Sequence, residues 1–129
     1  MKKKILIIDD EVPFTRMLKM NLEKTGNYEV CEENISEDAV KTAKAFRPDL
    51  IFLDVIMPRM FGGNIAAKIK AEPELERVPI VFLTAYVKRH LVEEHEGYIS
   101  GYPFLAKPAT LEEIIDAIEK ITSDNPPNP

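Results

Sequence analysis

Leu50-Ile51-Phe52-Leu53 is an uninterrupted apolar run that ends abruptly in a carboxylate, Asp54, with Pro58 four positions beyond it. A run this short, with β-branched and aromatic members, predicts a strand buried on both faces, the type found in parallel sheets. Asp54 then stands at the carboxyl end of that strand, where open α/β sheets place their ligands. Pro58 cannot continue a sheet, and Phe61-Gly62-Gly63 supplies the backbone freedom to turn toward a helix. Taken alone, Asp54 reads equally well as a turn residue or a helix cap. Its significance comes from repetition, because other predicted strands end in polar residues in the same way.

Lys4 to Ile8 is apolar from Ile5 on and stops at Asp9-Asp10-Glu11. Pro13 suits the first turn of a following helix, whose Phe14, Leu18 and Leu22 recur at fourfold spacing, and Gly26 closes it. Tyr28 to Glu32 alternates weakly, as expected of a strand nearer the sheet edge. Ser36 is placed to cap the next helix, which buries Ala39, Val40, Ala43 and Phe46 and stops at Arg47-Pro48. Beyond Asp54, Ile65, Ala66 and Ile69 indicate a short helix ending before Pro73. Val78 to Leu83 is a fourth strand, ended by Thr84-Ala85. Tyr86 to Gly97 carries a weak helical pattern. Tyr102 to Ala106 is the last strand, ended by Lys107-Pro108. Thr110-Leu111-Glu112-Glu113 is a capping box opening an amphipathic helix with Leu111, Ile114, Ile115, Ile118 and Ile121 on its apolar face. Five strands alternating with five helices predict an α/β fold, a parallel sheet covered on both faces. Right-handed crossovers would bring Asp9, Asp10, Asp54, Thr84 and Lys107 to one rim.

The 129 residues suit one domain, expected over 1–122, with 123–129 a disordered tail or the start of a linker. A net charge of -5 argues against binding nucleic acid, which needs a basic face. The single Cys31 excludes an intramolecular disulfide and suits a reducing cytoplasm. No stretch approaches the length of a membrane span.

Carboxylates crowded at one rim repel one another unless a cation intervenes, and Mg²⁺ accepts a few carboxylates, water and a phosphate. A lysine and a hydroxyl nearby would complete a phosphoryl pocket, with Asp54 as nucleophile in an in-line attack. Singly, Asp9-Asp10 is an ordinary turn pair, Thr84 a cap and Lys107 a solvated lysine; their joint placement at successive strand ends favours the functional reading.

These residues carry a resemblance from about Lys4 to Thr122. Ile7-Ile8-Asp9-Asp10-Glu11, Asp54-Val55-Ile56-Met57-Pro58-Arg59-Met60-Phe61-Gly62, Leu83-Thr84-Ala85 and Ala106-Lys107-Pro108 resemble, in order and spacing, the receiver domains of two-component response regulators, including single-domain chemotaxis regulators. The resemblance implies a doubly wound, flavodoxin-like sheet of order 2-1-3-4-5 and a phosphorylation-activated switch. Asp54 would be the phospho-acceptor, charged by a histidine kinase, a phosphotransfer protein or a small phosphodonor. Asp10 and Asp54 would ligate Mg²⁺ with the Ile56 carbonyl, and Asp9 would act mostly through water. Lys107 would pair with the phosphoryl group or, before phosphorylation, with Asp54. Thr84 would move onto the phosphate, coupled to Phe104 at the aromatic switch position, and Lys107-Pro108 would be cis. The signal would pass to a downstream protein or to an output domain outside this sequence. Such a domain is no turnover enzyme in the ordinary sense; it catalyses its own phosphorylation and slow dephosphorylation.

The sequence departs from the family in places. Phe104 lacks the hydroxyl of the commoner tyrosine, and Ile99-Ser100-Gly101-Tyr102-Pro103 lacks the usual small-acidic pattern, with Pro103 removing a ladder donor. Ile56 and Tyr86 would flank the phosphoryl site with bulk poorly suited to orient water, which predicts slow loss of phosphate. His90 and His95 read as exposed helix positions, Lys88-Arg89 as a solvated face, Met57 and Met60 as loop packing, and Cys31 as core. Three other classes compete. A flavodoxin-like cofactor binder would want a Ser/Thr/Gly-rich loop where Asp9-Asp10-Glu11 stands. An aspartyl-phosphate phosphatase would carry its nucleophile after the first strand and add a cap domain. A pseudo-receiver would bind partners without phosphorylation.

Overall fold

The computed structural model describes residues 2–57, 60–85, 98–99 and 102–124. Strands β1 (Lys3–Ile8), β2 (Tyr28–Glu33), β3 (Leu50–Asp54), β6 (Ile80–Thr84) and β8 (Tyr102–Ala106) form a parallel sheet in the order β2-β1-β3-β6-β8. Numbered among themselves, the parallel strands run 2-1-3-4-5, as expected. Helices α1 (Val12–Lys24), α2 (Ala39–Phe46), α3 (Gly62–Lys70) and α4 (Leu111–Asp124) complete the described architecture. The expected helix over Tyr86 to Gly97, with His90, His95 and Lys88-Arg89, and the tail Asn125 to Pro129 lie outside the described residues. Helix α4 runs two residues past Thr122, the expected domain end.

Alternation along the central strands divides the apolar side chains between two cores. Leu6, Ile8, Ile51, Leu53, Ile80, Phe82 and Phe104 pack with Ala39 and Ala43 of α2 and Ile65, Ala66 and Ile69 of α3. Ile5, Ile7, Leu50, Phe52, Val81 and Leu83 pack with Leu18 and Leu22 of α1 and Ile114 and Ile118 of α4. Strands with no solvated face must be apolar at every position, which is why β3 and β6 read as continuous hydrophobic runs.

Helix ends follow local chemistry. Pro13 sits in the first turn of α1, and Gly26 takes φ +83° beyond its end, a conformation that costs glycine little. Arg47 terminates α2 in the left-handed region at φ 53°, its N–H bonded to the Ala43 carbonyl at 2.9 Å. The capping box of α4 is reciprocal: Glu113 N–H donates to Thr110 Oγ1, and Thr110 N–H donates to Glu113 Oε1, both at 3.1 Å.

Three features differ from the sequence-based expectation. Ser36 opens a 3-10 turn, Ser36–Asp38, ahead of α2 instead of capping it. The buried line of α1 is Thr15, Leu18 and Leu22, with Phe14 only half-buried. Two short antiparallel pairs went unforeseen: β4 (Ile56–Met57) with β5 (Met60–Phe61), and β7 (Tyr98–Ile99) with β8. In the second pair Pro103 of β8 faces Tyr98 of β7, which forms the outer edge of the sheet, so β8 is not the edge strand. Met57 is buried, as expected of loop packing, while Cys31 is half-buried on edge strand β2 against the core. No helix of the described residues is long and apolar enough to cross a membrane.

Candidate functional site

Register builds the site. Ile8 lies beside Leu53, Asp54 beside Leu83, and Thr84 beside Ala106, so the carboxyl ends of four adjacent strands form one line. Asp9 follows β1, Asp54 ends β3, Thr84 ends β6 and Lys107 follows β8. The Lys107 N–H bonds to the Thr84 carbonyl at 2.9 Å, which carries the β6–β8 ladder up to the site. The Lys107-Pro108 bond is cis.

Asp9 is fully buried, Asp54 is 7% exposed and Thr84 is buried, whereas Asp10 is exposed. Asn34 fixes the Asp9 backbone, its Nδ2 donating to the Asp9 carbonyl at 2.7 Å and to Thr15 Oγ1 at 2.9 Å. The Asp9 carboxylate accepts the Glu11 N–H at 2.9 Å and the Lys107 ammonium on its other oxygen. Asp54 Oδ1 accepts a long 3.5 Å bond from the Ile56 N–H. One oxygen each of Asp9, Glu11 and Asp54 lies within 4.8 Å of the others.

Burial raises the pKa of Asp54 to about 6; the charge of Asp9 pushes the same way, against Lys107 and the Ile56 N–H. Burial also raises Asp9, outweighing its bonds from Lys107 and Glu11. Burial works against the charge of Lys107, but Asp9, Asp54 and Glu11 together hold its pKa above the ordinary lysine value. Three close oxygen ligands of hard character, strained by their own proximity, fit a hard divalent cation.

Gly62 lets the following helix start against the site. A Cβ there would fall on the Asp54 carbonyl and within 2.8 Å of Val55 Cα, while the Gly62 N–H bonds to the Val55 carbonyl at 2.6 Å. Side-chain-free approach at Gly62 therefore brings α3 up to the backbone of Asp54.

The expected rim residues do gather, with differences in detail. Among the described residues Lys107 makes no ion pair with Asp54; its partners are Asp9 and Glu11, the latter at 3.1 Å. The converging carboxylates are Asp9, Glu11 and Asp54, and Asp10 stands outside that set. Glu11 was overlooked as a site residue, although it is the third acid of the Asp9-Asp10-Glu11 run. Phe14 packs against the core, as expected, and its ring also receives Lys107 Nζ at 4.4 Å from the centroid, a contact the sequence did not indicate. Phe104 is buried in β8 beside Phe82 of β6.

A doubly wound parallel sheet with a carboxylate pocket, a hydroxyl and a lysine on its carboxyl rim defines a flavodoxin-like α/β domain with an acidic site at its strand ends. The chain belongs to the response regulator receiver domain family: residues 5–119 match the family model. It is 39% identical over 85 residues to the alkaline phosphatase synthesis transcriptional regulatory protein PhoP of Bacillus subtilis, covering 66% of this chain and 34% of that protein. It is 34% identical over 121 residues to the transcriptional regulatory protein PdtaR of Mycobacterium tuberculosis, covering 94% of this chain and 57% of that protein. The chain thus spans about a third and just over half of these two relatives. Among solved structures, chemotaxis protein CheY4 of Vibrio cholerae superposes with TM-score 0.80 at 25% identity, over 94% of this chain and 99% of that one.

Proposed function

We propose that this domain is a phosphorylation-activated switch in which Asp54 receives a phosphoryl group from a histidine kinase, a phosphotransfer protein or a small phosphodonor. The observation that carries the reading is the position of the Asp54 carboxylate, nearly buried at the strand end yet within 4.8 Å of two other carboxylates. Lys107 sits on that same cluster. One Asp54 oxygen forms the new bond to phosphorus as the donor's bridging P–O bond breaks, and the donor's oxygen leaves with the electron pair. A bound Mg²⁺ would supply positive charge to the phosphoryl oxygens. Asp54, Asp9 and Glu11 are within reach of such an ion, with Asp10 and the Ile56 carbonyl as further ligands. Lys107 neutralises phosphoryl charge, and Thr84 donates its hydroxyl to the phosphate.

The phosphoryl group carries about two negative charges where the Asp54 carboxylate carried one, so phosphorylation makes the rim more negative and adds strong acceptor oxygens. Thr84 and Phe104 lie on neighbouring strands, which supports their coupling as the switch toward the outer strand and last helix. The output goes to a downstream protein or to a domain outside this sequence; the two relatives named transcriptional regulatory proteins are longer than the stretch they share with this chain. The net charge of -5 argues against nucleic-acid contact by this domain, and a cytoplasmic location is the natural setting. Intact mass after incubation with Mg²⁺ and acetyl phosphate tests the reading. One added phosphoryl group is expected, dependent on Mg²⁺ and lost in Asp54→Asn; an unmodified wild type, or a phosphorylated Asp54→Asn, overturns it.

A further inference from the structure

Lys107 is enclosed by more than the catalytic rim requires. Its ammonium donates to Asp9 and, at 3.1 Å, to Glu11 Oε1, and it stands 4.4 Å from the centre of the Phe14 ring. The lysine side chain is only 9% exposed in this cradle, while that of Glu11 is 61% exposed. Both Phe14 and Glu11 belong to the β1–α1 side of the site, so they draw the ammonium toward α1 and away from Asp54. Phe14 is half-buried: it packs against the core beside Leu18 and Leu22 and also presents its ring to the Lys107 ammonium. A ring face beside a desolvated ammonium is favourable by its quadrupole, and no aliphatic side chain of similar size reproduces it.

We propose that Phe14 is a positioning residue: with Glu11 it parks Lys107 on Asp9, and Lys107 must leave the ring before it can serve a phosphoryl group on Asp54. This rests on the phospho-acceptor reading above. The parked arrangement slows phosphorylation, and weakening it frees the lysine. The chemical step is unchanged: acetyl phosphate loses acetate as the Asp54 O–P bond forms.

The test compares wild type, Phe14→Leu and Phe14→Tyr by intact-mass time courses with acetyl phosphate and Mg²⁺. Fluorine spectra of fluorophenylalanine-labelled protein accompany them, with the Phe14 signal assigned by its loss in Phe14→Leu. Phe14→Leu is expected to gain phosphate at least about threefold faster, while Phe14→Tyr, which keeps the ring, stays at the wild-type rate. The Phe14 signal is expected to move in Lys107→Met and to stay near its wild-type position in Lys107→Arg. A Phe14→Leu rate equal to wild type overturns the proposal, as does a Phe14→Tyr rate matching Phe14→Leu. If wild type gains no phosphate, the functional reading fails and the fluorine spectra decide the parking contact. A Phe14 signal unmoved in a folded Lys107→Met then overturns it, and a displaced one supports it.

Discussion

Replacing Asp54 by Asn should stabilise the protein when divalent cations are removed. Asp54 has a folded pKa of about 6 against an ordinary 3.8, chiefly through burial and the charge of Asp9. A carboxyl group whose pKa rises on folding favours the folded state at low pH, where both states are protonated. It loses that advantage as the pH climbs past the unfolded value toward the folded one. At about 1.4 kcal/mol per pH unit, the ionised Asp54 costs about 3 kcal/mol at pH 7.5, and by the same linkage about half of that at pH 5. Asn has the same shape without the charge and escapes the cost. For a domain of this size the gain corresponds to a rise in Tm on the order of 10 °C. Thermal unfolding of both proteins in EDTA, followed by circular dichroism from pH 7.5 down to pH 5, measures it. The wild-type deficit should shrink steadily as the pH falls. An Asp54→Asn protein no more stable than wild type at pH 7.5, or a difference independent of pH, would refute the electrostatic account of the pocket.

Other consequences follow from the same geometry. Adding Mg²⁺ to wild type at pH 7.5 should raise Tm, by about 2.7 kcal/mol of stability at a hundred times Kd, and should scarcely affect Asp54→Asn; calorimetry of both proteins checks this. Gly62→Ala should cost about 1–3 kcal/mol in urea unfolding, because its Cβ meets the backbone of Asp54 and Val55 and no flexible side chain can yield. Thr110→Ala should lose about 1 kcal/mol through the broken capping box, with Thr110→Ser close to wild type. The phosphorylated domain should keep its phosphate for minutes or longer, since the half-exposed Ile56 beside Asp54 offers no group to orient water. Release within seconds, followed by phosphate assay, would contradict that.

The sequence by itself determined the central strands of the sheet, because strands covered on both faces must be apolar throughout and can therefore be located without any tertiary information. It also determined the helix boundaries at Pro13, Arg47-Pro48 and Thr110, where a fixed φ, a proline that the helix cannot run into and a reciprocal cap act within a few residues. The gathering of Asp9, Asp54, Thr84 and Lys107 was legible because parallel strands joined by right-handed crossovers must end on one rim. The partners within that rim were decided only by tertiary structure. Lys107 and Asp9 are 98 residues apart, and no local pattern states whether the ammonium chooses Asp9, Asp54 or Glu11. Glu11 and Phe14 entered the site for the same reason: a helical or turn pattern specifies spacing along the chain, not which side chain a remote lysine reaches. Ser36 and the two short antiparallel pairs were hidden for a related cause, since a 3-10 turn and two-residue ladders depend on how neighbouring segments meet. Burial raises the Asp54 pKa, and burial is a property of the assembled sheet and helices that no single stretch of sequence possesses.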